Sequence, residues 1–541
     1  MTLHDPRHSK TFHSMNQFSS ILHKYSSISS LLGATLGVIG ACAFAPVGIW
    51  FCVFISLAGL FVVITASKDW KWAAVAAWLW GVGYFGVGLS WTYHSMAVYG
   101  GLPSIVAGLG VLALAGVLAT VPAMVALIAK RLPVSDVVRV ACVLPALWTL
   151  GELVRGVWVM SFGWLSIGYA LIDTLFASWA PILGVYGVGF LALWMTGLVV
   201  ALLMPQTKTV VGTRATLSLV VGAIALSSIA VSDIQWSTPG KTLEVRIVQP
   251  DLPVVFSGKR EIADARLERV EAMSTRSAMG SRLDLIVWPE GIYPWPLQRH
   301  SRTQVEAPLR VTQSTGATVL FNAFDEPERK TYFNSVWTAT PDGKLQAIYA
   351  KHHLVPFGEY VPSGFRWFVD LMQIPMNDQA SGELPKGPIE IAETPTALQI
   401  CYEVMFGEEL QSSWQLGNPQ LLINTSNLVW FGSAVGEQFT QMTRMRAKEF
   451  ARPAIQSMNN AMSAVVSPTG EIDRLAGKGA QTLDARLQTA QGVPTPFVKF
   501  GHWMTVLGAL ILLMFGCISL MFGCISLFKS TAVQNNWYTQ D

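Results

Sequence analysis

Hydrophobic positions are unevenly spread along the 541 residues. Leu31–Ala66 and Ala73–Ala129 contain no Asp, Glu, Lys or Arg, and neither do Ala215–Ser232 and Trp503–Phe528. A helix needs about 20 apolar residues to cross the hydrocarbon core. The pattern predicts about eight spans, near 31–46, 48–66, 73–93, 104–129, 139–158, 180–204, 214–232 and 504–528. Glu152 and Arg155 interrupt the fifth; spaced (i, i+3), they can pair on one helix face, which favours a structural pair near a domain–membrane junction over a headgroup contact. From Asp233 to Gly501 charges return, apolar runs shorten to strand length and Pro/Gly turns appear. Leu243–Gln249, Leu285–Trp288, Thr318–Asn322, Ala397–Cys401 and Leu421–Thr425 read as strands, and Arg260–Met279 and Gly436–Ala451 as helices. Hairpins are expected about Pro341-Asp342-Gly343 and Pro468-Thr469-Gly470.

The expected architecture is a polytopic α-helical membrane domain over 31–232, a layered α/β domain over 233–501 and a closing transmembrane helix over 502–528, with tails at 1–30 and 529–541. Basic residues near helix ends mark the cytoplasmic side. Lys24, Lys68, Lys71, Lys130, Arg131, Lys208, Arg214 and Lys529 fall on alternate loops, so both tails are expected in the cytoplasm and the α/β domain outside. The segment Leu513–Ser519 recurs as Leu520–Ser526, which puts Gly516 and Gly523 on one helix face; a neutral duplication in a lipid-facing helix explains it as well.

Composition supports this plan. Hydrophobic residues make up 51% of the chain and charged residues 13%, against about 25% charged in soluble domains. A formal net charge of +3 without a basic block excludes a nucleic-acid binder, and six scattered cysteines do not make a disulfide framework.

Three polar residues stand at strand ends of the α/β domain. Glu290 closes an apolar strand, where an exposed carboxylate is ordinary; Lys351 closes a hairpin strand, where a solvated edge lysine is ordinary. Cys401 is the only cysteine between 233 and 500, and a buried inert thiol is its plain reading. On an oxidising side of the membrane, however, a lone thiol is a liability unless used. Together the three make a chemical set: Glu290 could take the thiol proton and Lys351 could stabilise an oxyanion.

Val287-Trp288-Pro289-Glu290, Lys351-His352-His353-Leu354-Val355-Pro356-Phe357-Gly358-Glu359 and Ile400-Cys401-Tyr402-Glu403 resemble the Glu-Lys-Cys signatures of the carbon–nitrogen hydrolase (nitrilase) superfamily. The long lysine motif and the order of helices, domain and final helix are similar to the apolipoprotein N-acyltransferase family over nearly the whole chain. Trp430-Phe431-Gly432, Arg444-Met445-Arg446-Ala447 and Asn459-Asn460 add to the likeness. Leu428 departs from it, standing where the family usually has an acidic residue; Phe256 stands near a usual Trp, and Gly163 replaces a common Pro.

The resemblance implies an αββα nitrilase-like sandwich with Glu290, Lys351 and Cys401 as catalytic residues. Glu359, Tyr402 and Glu403 are the implied supporting residues, Trp430 and Asn334 implied pocket residues, and no cofactor or metal is implied. It further implies acyl transfer from a membrane phospholipid to the α-amine of a diacylglyceryl apolipoprotein, through a Cys401 thioester, by a monomer in the bacterial inner membrane with its α/β domain in the periplasm. Two rivals remain: a membrane-tethered amidase using water, and a transporter or scaffold with an inactive domain.

Overall fold

The computed structural model describes residues 26–208, 211–254, 259–276, 282–364, 366–367, 378–432 and 434–518. Among these, four helices are long and apolar enough to cross a bilayer: Ser104–Arg131, Asp136–Trp158, Leu175–Leu203 and Gly212–Ser232. Trp70–Gly88 and Thr92–Tyr99 meet at 67° and make a fifth if they form one span, while Leu31–Ala41, Cys52–Ala66 and Trp503–Ile518 are shorter apolar helices. Each of the eight apolar runs contains a helix among its described residues, but only four or five reach spanning length there. The run expected over 48–66 becomes helical only at Cys52, because turns occupy 42–47 and 50–51. Gly516 packs against Cys142 and Val143, while Gly523 and Phe256 lie outside the described residues.

The helix expected over 180–204 is broken. Gly184 has φ 68° and ψ −179°, so the backbone hydrogen bonds cannot run through it. Both freed groups are taken by other elements: Leu183 O accepts from Thr505 Oγ1 at 2.8 Å, and Val185 N–H donates to Glu449 Oε1 at 2.6 Å. A β carbon on Gly184 would fall 2.4 Å from the Phe497 ring.

The remainder builds two six-stranded sheets. The first contains β1 (Thr238–Gln249), β2 (Leu285–Val287), β3 (Thr318–Glu328), β4 (Thr331–Ala339) and β5 (Leu345–Ala350). The second contains β6 (Ile389–Ile391), β7 (Thr394–Ile400), β8 (Leu421–Ser426), β9 (Ala454–Met458), β10 (Ala464–Val466) and β11 (Ile472–Leu475). The last strand, β12 (Gln481–Gln491), returns to the first sheet beside β1. Each sheet has a parallel centre, β1-β2-β3 and β7-β8-β9, flanked by antiparallel strands.

Side chains alternate across each strand. Val245, Ile247, Leu285 and Val287 join Ile400 and Ile423 between the sheets. Their neighbours Val248, Ile286 and Trp288 face outward and pack with Leu267, Val270 and Val311 of two covering helices, Arg260–Ser274 and Ala307–Thr315. Helices on one outer face and the Ala434–Phe450 helix near the other give the αββα layering; Ala447 and Phe450 pack with Ala397, Leu422 and Ala454.

The Ala434–Phe450 helix also joins this domain to the membrane helices. Gln438 Oε1 accepts from the Trp91 and Trp164 indoles at 3.1 and 2.6 Å, and its Nε2 donates to Ala45 O and Gly88 O. Arg444 pairs with Asp173, and Arg446 pairs with Glu449 at 2.9 Å. Glu152 and Arg155 form the expected (i, i+3) ion pair, at a long 3.9 Å. In addition Arg155 donates to Phe162 O and Trp164 O, at 2.8 and 2.6 Å, and Glu152 Oε1 accepts from Ile167 N–H at 3.1 Å. Both pin the loop that follows their own helix.

Candidate active site

Glu290, Lys351, Cys401 and Asn427 all lie just beyond the carboxyl ends of β2, β5, β7 and β8, where open α/β sheets present ligand sites. Cys401 ends β7 with φ 53°, a left-handed conformation uncommon for a residue with a β carbon. The strand direction is thereby turned into a short helical segment, Cys401–Met405. Lys351 is placed by the hairpin: its N–H donates to Asn334 O of β4 at 2.8 Å.

Glu403 fixes these two chain segments to one another. Its carboxylate accepts from the N–H groups of Ile400, His352 and His353 at 2.6, 2.7 and 3.0 Å, and from the Tyr349 hydroxyl at 2.8 Å. It is 2% exposed, so every one of these donors would be orphaned without it. Because Glu403 binds the residue before Cys401 and the two after Lys351, it ties the Cys401 turn to the Lys351 turn.

Lys351 Nζ donates to Glu359 Oε1 at 2.8 Å, and Glu359 Oε2 accepts from Val355 N–H at 2.8 Å. Asn334 Nδ2 donates to Glu290 Oε1 at 2.6 Å and reaches Glu359 Oε1 at 3.5 Å. Asn427 N–H donates to Glu290 Oε2 at 2.9 Å. Asn334 is thus a buried bridge between the two carboxylates. Trp430 lies further toward the membrane helices: Ser95 Oγ donates to its carbonyl at 2.7 Å and the Tyr99 ring packs at 4.9 Å. Tyr402 donates its hydroxyl to Ser161 O at 3.1 Å, so the residue after Cys401 touches the loop following the Asp136–Trp158 helix.

The charges are mutually dependent. Burial pushes the Cys401 thiol far up, the Glu290 charge pushes it further, and Lys351 pulls it back. Burial also raises Glu290, against the opposing pull of Lys351 and the Asn334 and Asn427 hydrogen bonds. Burial disfavours the Lys351 ammonium, but Glu359 and Glu290 outweigh it and hold its pKa above the lysine range. The resting arrangement is a thiol beside a carboxylate base and a permanent cation. Such a set can generate a thiolate only as its proton moves to carboxylate, and can stabilise negative charge on a carbonyl oxygen. Among the described residues no cluster of His, Cys, Asp and Glu could hold a metal ion.

Comparison with known proteins adds an independent line. The family described as apolipoprotein N-acyltransferase N-terminal domain matches residues 36–198, and that described as carbon-nitrogen hydrolase matches 244–496. The apolipoprotein N-acyltransferase of Ralstonia nicotianae is 35% identical over 495 residues, covering 90% of this chain and 92% of that protein. The chain belongs to the apolipoprotein N-acyltransferase family. Relatives of the same description in Haemophilus ducreyi (31% over 498 residues, 90% and 96% covered) and Methylococcus capsulatus (32% over 486, 88% and 93%) agree. An amidase from Nesterenkonia sp. overlaps 49% of this chain and 94% of its own at 17% identity, but a TM-score of 0.36 adds nothing to what the sheets show. As a member of this family, the chain is a bacterial membrane protein.

Membership also frames the departures from the family pattern. Leu428 is fully buried in the main apolar core, so its replacement of an acidic side chain is accommodated by packing. A β carbon on Gly163 would fall 2.9 Å from the Tyr186 hydroxyl. Sequence reasoning missed Asn427 as a donor to Glu290, although its place directly after an apolar strand is the signal that marked Glu290 and Cys401. It also missed Gln438 and Glu449, whose partners lie in the membrane helices.

Proposed function

We propose that the protein is an acyltransferase that moves an acyl chain from a membrane phospholipid to the α-amine of the S-diacylglyceryl-cysteine at the start of an apolipoprotein. The observation that carries this reading is the placement of a Glu–Lys–Cys set where Tyr402, the residue after the nucleophile, hydrogen-bonds to a loop of the membrane domain. A donor and an acceptor that are both lipid-anchored need a thiol at that boundary.

In the first half-reaction Glu290 takes the Cys401 proton as the sulfur attacks the donor ester carbonyl. Lys351 stabilises the resulting oxyanion, held in place by Glu359. The intermediate collapses by expelling the lysophospholipid alkoxide, which recovers the proton from Glu290 and leaves a thioester. In the second, the acceptor amine attacks that thioester and gives a proton to Glu290. The carbon–sulfur bond breaks, the amide leaves, and the proton returns to Cys401. The scheme is ping-pong with a covalent intermediate. It uses no cofactor, and one chain supplies every named group, in keeping with a monomer. The alternation of basic loops supports a periplasmic α/β domain on the inner membrane; a reporter fused after Pro239 should behave as periplasmic and one after Lys529 as cytoplasmic.

The transferase is separated from a water-using amidase by single turnover. The thioester is formed on the enzyme, then mixed with a diacylglyceryl-cysteine peptide or with buffer. Fast discharge to the peptide and persistence in buffer support transfer; equal loss in both would make water the acceptor.

A further inference from the structure

We propose that Asn459 is a positioning residue for this reaction, acting through Asn427 to aim one backbone N–H at the base. The inference rests on the roles assigned above to Glu290 and Cys401. Asn427 N–H donates to Glu290 Oε2 at 2.9 Å. That N–H belongs to the Ser426–Asn427 peptide, whose carbonyl accepts from Asn459 N–H, and the Asn427 carboxamide anchors the other side of the same residue. Asn427 Oδ1 accepts from Asn459 Nδ2 at 3.1 Å and from Val429 N–H at 3.4 Å. On the opposite side stands Gly291 with φ 82°, where a β carbon would lie 2.4 Å from Asn427 Nδ2. Asn427 is therefore boxed between the residue after Glu290 and Asn459.

Asn459 is in turn fully committed. Its Nδ2 donates to Leu252 O at 2.8 Å and its Oδ1 accepts from Leu252 N–H at 2.9 Å. Its own N–H donates to Ser426 O at 3.1 Å, and its carbonyl accepts from Asp251 N–H at 2.9 Å. The loop after β1 in one sheet is thus latched to the loop after β8 in the other. Asn459 is 1% exposed, so substrate does not reach it and its influence passes through Asn427. The groups that face the Glu290 carboxylate from other elements are Lys351, Glu359, Cys401 and the Asn334 amide. Releasing the latch leaves all of these in place and weakens one hydrogen bond to ionised Glu290. The base should then need a higher pH to lose its proton.

The test uses the full chain in detergent with vesicles of phosphatidylethanolamine and phosphatidylglycerol. The readouts are the rate of thioester formation across pH and the melting temperature. Asn459→Ala should slow thioester formation at least about tenfold, as small misplacements at a reacting centre do, and move the acidic limb up by about one unit. Asn427→Ala should do the same, and the double variant should be no worse than either single one, because both remove one linkage. A folded Asn459→Ala with the parent's rate and acidic limb, or fully additive effects in the double variant, would overturn the proposal. Should Asn459→Ala not fold, Asn459→Asp keeps an acceptor for Leu252 N–H but offers Asn427 no amide, and carries the same expectation. A thioester that still forms in Cys401→Ala would instead sink the functional reading on which the latch depends, so the two failures are told apart.

Discussion

Two clusters of buried charge can be compared directly. One joins Glu290, Lys351 and Glu359 around Cys401 at the strand ends; the other joins Arg446 and Glu449 where the α/β domain meets the membrane helices. Each has a deeply buried charge at its centre, Lys351 being 1% exposed, Arg446 2% and Glu449 0%, while Glu290 and Glu359 are half-buried. At the junction the charge repairs backbone: Glu449 accepts the Val185 N–H freed by the break at Gly184 and pairs with Arg446. At the strand ends the backbone serves the charges, since Asn427, Val355 and the Asn334 amide all donate to carboxylates that surround a thiol. The same residue types therefore hold the molecule together in one place and are poised for proton transfer in the other. Substitutions should separate the two: chemistry lost with folding kept at the strand ends, folding weakened with chemistry kept at the junction.

The largest expected effect is at the junction. Glu449→Gln leaves the Arg446 charge buried without its counterion, which costs about 3–5 kcal/mol in comparable pairs; the melting temperature should fall sharply, while thioester formation per folded molecule stays near the parent's. Next is Lys351→Ala, which should slow thioester formation by about 10²–10³, the usual cost of one oxyanion donor. Lys351→Arg should recover little, because its planar head does not reproduce the ammonium contact with Glu359. A near-normal rate in either variant would remove Lys351 from the oxyanion role. Smaller still is Gln438→Ala, which gives up hydrogen bonds to two indoles and two carbonyls and should cost about 1–3 kcal/mol of stability with little change in rate.

The pH profile sharpens the comparison with the smallest change. In the proposed scheme thioester formation needs ionised Glu290, whose pKa is raised, chiefly by burial. The rate should fall as pH drops through a value above the ordinary carboxylate range. Lys351 is held above its usual value, so it should add no alkaline limb below about pH 10. Glu290→Gln should lower the rate and abolish the acidic limb together; a limb that persists would belong to another group.

The difference between the clusters also explains what the sequence made legible. Glu290 and Cys401 each follow a short strand of a parallel centre, and such strands buried on both faces read as unbroken apolar runs, while Lys351 closes the hairpin strand β5. Their ends are visible without knowing the fold. Glu359 and Glu403 come with them because they lie within a few residues of Lys351 and Cys401. The junction offers no such mark. The break at Gly184 sits in an apolar helix with several glycines, and only Phe497, Thr505 and Glu449, far along the chain, reveal why it occurs. Gln438 lies on a helix face that apolar periodicity alone assigns to the core, yet its partners are indoles and carbonyls of the membrane helices. The Glu152–Arg155 spacing gave the pair, but not the loop carbonyls and Ile167 N–H that share it, because those lie beyond the end of the helix. The flanking strands β6 and β12 were not foreseen, being partly polar and dependent on their neighbours for pairing.

The central claim is that Cys401 carries the acyl group. Its most direct test is the mass of the Cys401 peptide after incubation of the full chain with phospholipid alone. One added acyl mass on that peptide, released by neutral hydroxylamine and absent in Cys401→Ala, is the predicted result. An acyl adduct on Cys42 or Cys142, with transfer intact in Cys401→Ala, would contradict it.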